Sequence, residues 1–189
     1  MAQLNQEQPE DAWQIEYLLD LTFGQGRASL SSYRLREGVA PLPELCLVAR
    51  DDFGAILGTI RYWPVTVGTA RRAALLLGPI AVHPTLQGEG LGSSLIRNSL
   101  RRAAASGWKR VILIGDEPYY GRFGFRNAPF LKFPPPTNPE RVLALELVAN
   151  AFNGVSGDVQ PWTAIDEADT AGSERGQGTS CPAGKAADA

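Results

Sequence analysis

The sequence predicts an α/β protein built on one mixed, mostly antiparallel sheet flanked by helices. Three observations carry that prediction. Apolar residues recur at helical spacing near the N-terminus and switch to strand-like runs after residue 43. Two of those runs, 44–52 and 55–67, are separated only by turn residues, which predicts an antiparallel hairpin. Residues 72–115 then read strand, glycine-rich turn, amphipathic helix, strand: one βαβ crossover with its two strands parallel.

In chain order, DAWQIEYLLDLTF (11–23) sets Trp13, Ile15, Leu18, Leu19, Thr22 and Phe23 at three-to-four spacing, a helix with Asp11 as N-cap and Gly24 as its stop. A second short helix is expected over 29–36, capped by Ser29 and ended by Gly38. The hairpin strands follow, turning at Asp51–Gly54, and RAALLLGPIAV (72–82) is a third strand, apolar enough to be buried on both faces. Pro79 inside it has no N–H to give to a ladder, so the strand either lies at an edge or bulges and splays from a neighbour. Leu91, Leu95, Ile96, Leu100, Ala103 and Ala104 share one helix face, and Gly107 ends that helix. RVILIG (110–115) is a buried strand, 117–123 a short helix, and RVLALELV (141–148) a half-buried strand after the stiff run Pro134–Pro136.

Composition bounds the function. The chain has 189 residues, 44% apolar and 20% charged, with a formal net charge of −2, enough for one core and no reason to expect nucleic acid or a membrane surface as partner. There is no apolar run of about 18 residues, and the polar N-terminus does not read as a signal peptide, so cytoplasmic residence is expected. Two distant cysteines, Cys46 and Cys181, give neither a disulfide framework nor a thiolate metal site. His83 is the sole histidine, so a Ser-His-Asp triad would have to pass through it. No metal is expected. The expected organisation is an N-terminal segment 1–10, one folded domain 11–150, an extension 151–162, and a disordered tail 163–189, which carries five acids, two bases and one large aliphatic, Ile165.

The chemical signal lies in Gln87-Gly88-Glu89-Gly90-Leu91-Gly92, which opens a helix. Glycines admit close backbone approach, and free N–H groups with the helix dipole make an anion site. A Walker A loop would need Gly-Lys-Ser/Thr, and no lysine precedes Ser93; a dinucleotide fingerprint would need glycine at 93. The spacing by itself also suits a tight turn with no ligand.

Gln87-x-x-Gly90-x-Gly92, preceded by a strand and Val-His-Pro, resembles the signature of the GNAT superfamily of acyl-CoA N-acyltransferases. GDEPYYGRFGF (115–125) resembles that family's Tyr-x-x-x-Gly-Phe segment, and the two together are similar to its YhbS-like branch over roughly residues 8–150. The resemblance implies a twisted sheet with a splayed central strand, acetyl-CoA as co-substrate, and direct acetyl transfer to a primary amine, on a small molecule or a protein, in a ternary complex. It implies that Ile80, Ala81 and Val82 meet the pantetheine arm, with Ile80 and Val82 supplying backbone groups. Gln87, Gly88, Glu89, Gly90, Leu91, Gly92 and Ser93 would hold the pyrophosphate, and Tyr120 would protonate the departing thiolate or orient the thioester sulfur. Some relatives place a glutamate on the strand corresponding to 72–82, which carries no acid here; Glu44, Asp116, Glu117 and His83 remain as candidates, with no base assigned. Many relatives have an asparagine near the end of the next strand, where this chain has Gly115-Asp116. Arg97, Arg101, Arg102 and Arg122 are candidate phosphate contacts, and residues 23–40 are where acceptor selection is expected. The final strand exchanges between protomers in some relatives, which makes a homodimer an option. A CoA-binding sensor without turnover is the alternative reading.

Overall fold

A computed structural model describes residues 2–163. The expected tail, including Cys181, lies outside the described residues apart from Thr163. Nine strands make the sheet: β1 (Gln3–Gln6), β2 (Leu47–Arg50), β3 (Ile56–Val67), β4 (Arg72–Val82), β5 (Arg110–Ile114), β6 (Arg126–Asn127), β7 (Leu131–Lys132), β8 (Val142–Glu146) and β9 (Gly157–Pro161). Four α-helices accompany them among the described residues: α1 (Ala12–Phe23), α2 (Ser31–Arg34), α3 (Leu91–Ala105) and α4 (Glu117–Tyr120). The order across the sheet is β1-β2-β3-β4-β5-β8-β6, with β9 pairing the distal half of β3 and also β7. Pairing is antiparallel except β4 with β5 and β7 with β9, so the fold is the mixed, mostly antiparallel sheet with one βαβ unit.

The core forms because each face of the sheet receives one set of alternating side chains. Leu47, Ile60, Tyr62, Leu75, Leu77, Val111 and Leu113 meet Leu95, Ile96 and Ala103 of α3. The other face buries Val65, Val67, Leu76, Ile112, Val142 and Val159, while Ile15, Leu18 and Leu19 of α1 close over Val48, Ile56 and Ala81. The hydroxyl of buried Tyr62 lies 2.8 Å from Ser99 Oγ on α3, which satisfies both groups inside the core.

β4 is interior, between β3 and β5, which removes the edge-strand option for Pro79. Both other consequences of that proline are present. The β3–β4 register shifts between Ile60 and Tyr62, opposite the Gly78-Pro79 step. β4 pairs with β5 only at Leu75–Val111 and Leu76–Ile112 and then runs on to Val82 without it. The central strands therefore part at Leu77, leaving a wedge between them.

Asp11 holds the expected N-cap position of α1 without capping it, and the Ser29 cap is corrected. Asp11 precedes α1, but the 3-10 turn Pro9–Asp11 already gives it helical angles (φ −77°, ψ −15°), so its side chain cannot reach forward. It turns back instead to accept the Gln8 N–H at 2.9 Å and to pair with Arg50. Ser29 ends a 3-10 turn, Gln25–Ser29, and donates to the Gly26 carbonyl at 2.8 Å; the following helix is only Ser31–Arg34, preceded by Leu30. The strand expected last, β8, pairs with β5 and β6 of its own chain. Among the described residues no helix is long and apolar enough to cross a membrane.

Candidate active site

The wedge between β4 and β5 is the floor of a cleft of about 760 Å³. The segment 22–36 forms one wall, the turn before α3 another, and α4 with its flanks the third.

The floor offers backbone groups of a definite sense. His83 N–H donates to the Leu57 carbonyl at 2.8 Å. In an antiparallel ladder hydrogen-bonded pairs alternate, so the next such pair is Thr59 with Ala81. Ile80 and Val82, opposite Ile60 and Gly58, therefore turn their N–H and C=O groups away from β3, into the wedge that β5 has vacated. Ala81 is turned the other way: its backbone faces Thr59 and its side chain is buried under α1. The pair Ile80 and Val82 is thus set as a strand edge for an extended amide-bearing chain, and Ala81 supports it from behind.

At the end of β4 the chain enters the glycine turn. Gly88 and Gly90 have φ of 89° and 87°. Gly90 sits at the N-cap of α3 in the left-handed region, with no side chain capping the helix. The first N–H groups of α3, from Leu91, Gly92 and Ser93, have no intrahelical acceptor. The Gln87 side-chain amide donates to the Val82 carbonyl at 3.2 Å, tying the turn to the strand. Gln87, Gly88, Gly90, Gly92 and Ser93 line the cleft. Glu89 is exposed outside it, and the Leu91 side chain packs inward on the core. An uncapped helix start beside an open strand edge fits a ligand with a diphosphate at one end and an extended amide-bearing arm at the other.

Tyr120, the last residue of α4, stands on the third wall. Its ring is fixed by edge contacts with Tyr119 (5.0 Å) and Phe125 (6.0 Å). It also lies on Gly115: a Cβ there would stand 2.3 Å from Tyr120 Cε2. That contact gives a physical reason for glycine at the end of β5. Burial, with Tyr119 and Asp116 nearby, pushes the Tyr120 phenol up to about 12, so it carries its proton at neutral pH. Tyr119 is more exposed; its hydroxyl hangs over Gly92 at the start of α3, and Arg122 stacks on its ring at 4.5 Å.

The charged candidates separate. Asp116 reaches the cleft but pairs with Arg141 at 3.0 Å. Glu44, Glu117 and His83 do not line it, and His83 Nδ1 lies 2.8 Å from Thr85 Oγ1. Arg97 stacks over Phe123, Arg101 folds along α3, and Arg102 reaches the Glu44 carbonyl, all outside the cleft, whereas Arg122 lines it. The wall expected to select the acceptor contributes Phe23, Arg27, Leu30, Ser32, Tyr33 and Arg36. Arg36 went unassigned in the sequence because its partners, Tyr33 and Trp63, come together only in the fold.

The family model for the acetyltransferase (GNAT) domain matches residues 43–127, the stretch that runs from just before β2 through β6. The uncharacterized N-acetyltransferase YhbS of Escherichia coli (strain K12) is 31% identical over 154 residues, covering 80% of this chain and 91% of that protein. The crystal structure of Escherichia coli YhbS in complex with CoA superposes with a TM-score of 0.73 at 31% identity, over 85% of this chain and 89% of that one. A GNAT-family acetyltransferase from Brucella melitensis, solved with acetyl-CoA, gives 0.66 at 30% identity, over 88% and 99%. On that identity over nearly the whole of a relative, together with the shared fold, the chain belongs to the GNAT family of acetyltransferases.

Proposed function

We propose that this chain is an acetyl-CoA-dependent N-acetyltransferase that passes the acetyl group directly to a primary amine in a ternary complex. One observation carries the reading: the open edge of Ile80 and Val82, the uncapped start of α3 and Tyr120 all face the same cleft. Relatives solved with CoA or acetyl-CoA on the same fold support it. The N–H groups from Gly88 to Ser93 would hold the pyrophosphate, with the Ser93 hydroxyl beside them and Arg122 on the same side of the cleft. From Val82 back to Gly78 the strand covers about 13 Å, a length suited to laying the arm along β4 with the thioester where β4 parts from β5.

The chemistry needs a neutral amine to attack the thioester carbonyl, the C–S bond to break, and the leaving thiolate to gain a proton while the new amide nitrogen loses one. The magnitude of the Tyr120 shift decides how that residue acts. With a phenol near 12 and an alkyl thiol near 8.5, complete proton transfer to the thiolate is uphill by about 5 kcal/mol. Tyr120 therefore donates a hydrogen bond to the sulfur as charge develops, and the proton that remains on CoA comes from the ammonium formed in the attack. Asp116, the carboxylate that lines the cleft among the described residues, is engaged by Arg141, so the amine reaches its neutral form by losing a proton to water.

The test is Tyr120→Phe in a thiol-release assay. Turnover falls about 100-fold with acetyl-CoA affinity retained; unchanged turnover removes the hydrogen-bond role. Cytoplasmic residence, a catalytic domain over 11–150 and an acceptor on either a small molecule or a protein belong to the same proposal, and fractionation of the full chain tests the first.

A further inference from the structure

Among the described residues four arginines line the cleft, and they differ in what neutralises them. Arg27 is held by Glu16 and by Asp20 at 2.8 Å, and Arg141 by Asp116. Arg122 lies near the start of α3, with Tyr119 between, at the end suited to phosphate. Arg36 is at the opposite end. Its Nη2 is 3.7 Å from where a Cβ on Gly78 would stand, the point at which β4 leaves β5.

Arg36 makes no ion pair among the described residues, and its Nε and Nη1 are buried without a hydrogen-bond acceptor. Its guanidinium lies between two aromatic faces, 4.5 Å from the Tyr33 ring and 4.8 Å from the Trp63 ring. Both rings are pinned: Trp63 Nε1 donates to the Val39 carbonyl at 3.0 Å, and the Tyr33 hydroxyl accepts from Arg27 at 2.7 Å. The ring faces offset part of the cost of burying this charge, and a counter-ion would offset more. Burial above all lowers the Arg36 guanidinium to about 10, against the opposing effect of the Tyr33 hydroxyl and with smaller contributions from the Arg61 and Arg27 cations, so it is still charged at neutral pH. A rigid cation with no carboxylate partner, one edge toward the cleft and glycine opposite, is how proteins recognise an anionic group.

We propose that Arg36 docks an anionic group of the acceptor, so that the amine acetylated in this cleft belongs to a small molecule that also carries a carboxylate or a phosphate. The inference rests on the transferase reading above and deepens it by naming the acceptor's chemical class.

The experiment uses the full chain, acetyl-CoA and thiol-release detection with matched amines. Amino acids bearing the amine at increasing distance from the carboxylate are compared with their carboxamides, and phosphorylated amino alcohols with the free alcohols. Acid members are expected to exceed their neutral counterparts by about tenfold or more in kcat/KM. Arg36→Gln removes that preference by raising KM for the acid members at least tenfold more than for their neutral counterparts, with acetyl-CoA affinity retained. Arg36→Lys retains part of the preference, which keeps the test decisive if the glutamine variant folds poorly. The preferred anion tells carboxylate from phosphate. Neutral members equal to acid ones, a preference that survives Arg36→Gln, or failure of the acetyl-CoA-loaded chain to accept any acid member overturns the proposal. A chain that does not bind acetyl-CoA at all refutes the transferase reading itself, which is a separate and recognisable failure.

Discussion

Replacing Gly115 by alanine tests whether the position of the Tyr120 ring, and not merely its presence, matters for turnover. The new Cβ would stand 2.3 Å from Cε2 and 2.7 Å from Cδ2 of Tyr120, and 2.9 Å from Leu113 Cδ1. Ordinary carbon contact needs about 3.5 Å, so the ring must withdraw by about 1.2 Å. It cannot do so freely, because Phe125 beside it is fully buried and Tyr119 closes the other side. Overpacking of this kind costs about 1–3 kcal/mol, which lowers Tm by about 3–10 °C in a domain of this size. A misplacement of about 1 Å at the reacting centre lowers kcat about 100-fold. Acetyl-CoA affinity should hold, since Ile80, Val82 and the start of α3 are untouched. The assay is thiol release for turnover and calorimetry for binding, repeated in a Tyr120→Phe background. There the alanine should cost the same stability and no further turnover, because the group it displaces is gone. Native turnover in Gly115→Ala despite a lowered Tm, or the full hundredfold loss recurring with Tyr120→Phe, would refute the reasoning.

Gly90→Val should weaken acetyl-CoA binding at least tenfold. Nothing lies within 4 Å of a Cβ there, so the effect comes from forcing a β-branched residue to φ 87°, at about 1–3 kcal/mol, and an unaltered affinity would remove the anion-turn assignment. Alkaline stability should report Tyr120. Its phenol is raised from 10 to about 12 by burial, so the unfolded chain loses that proton first. The contribution is present below pH 10 and is lost as pH climbs toward 12, at about 1.4 kcal/mol per pH unit, with buried Tyr62 acting in the same sense. Urea unfolding at pH 9, 10 and 11 should show a shallower loss in Tyr120→Phe, and equal slopes would count against the buried phenol.

The parts of the fold that the sequence disclosed are those whose side chains must alternate or repeat to be buried. The hairpin of β2 and β3, the crossover through α3, and β8 all carry apolar patterns that only one arrangement satisfies. The strands β1 and β9 went unread for the opposite reason. Gln-Leu-Asn-Gln and Gly-Asp-Val-Gln-Pro join the sheet through their backbones and bury little, so no periodicity marks them. Pro79 announced a disturbed strand, but an edge and a splay use the same missing N–H, and only the neighbours of β4 separate them. At the site, the glycine turn and Tyr120 stood out through local spacing. Ala81 could not be told from Ile80 and Val82, because the outward sense of each depends on its register with β3. Arg36 and Gly115 depend on contacts made across the fold, with Trp63 and Tyr120 respectively, and a local pattern does not carry them.

The central claim is that one cleft, formed where β4 and β5 part beside the uncapped start of α3, receives acetyl-CoA. The most direct measurement is calorimetric titration of the full chain with acetyl-CoA, with ATP and NAD as controls. Saturable binding of acetyl-CoA alone, lost in Gly90→Val and kept in Tyr120→Phe, is the predicted result. No binding of acetyl-CoA, or binding that Gly90→Val leaves intact, would contradict the account.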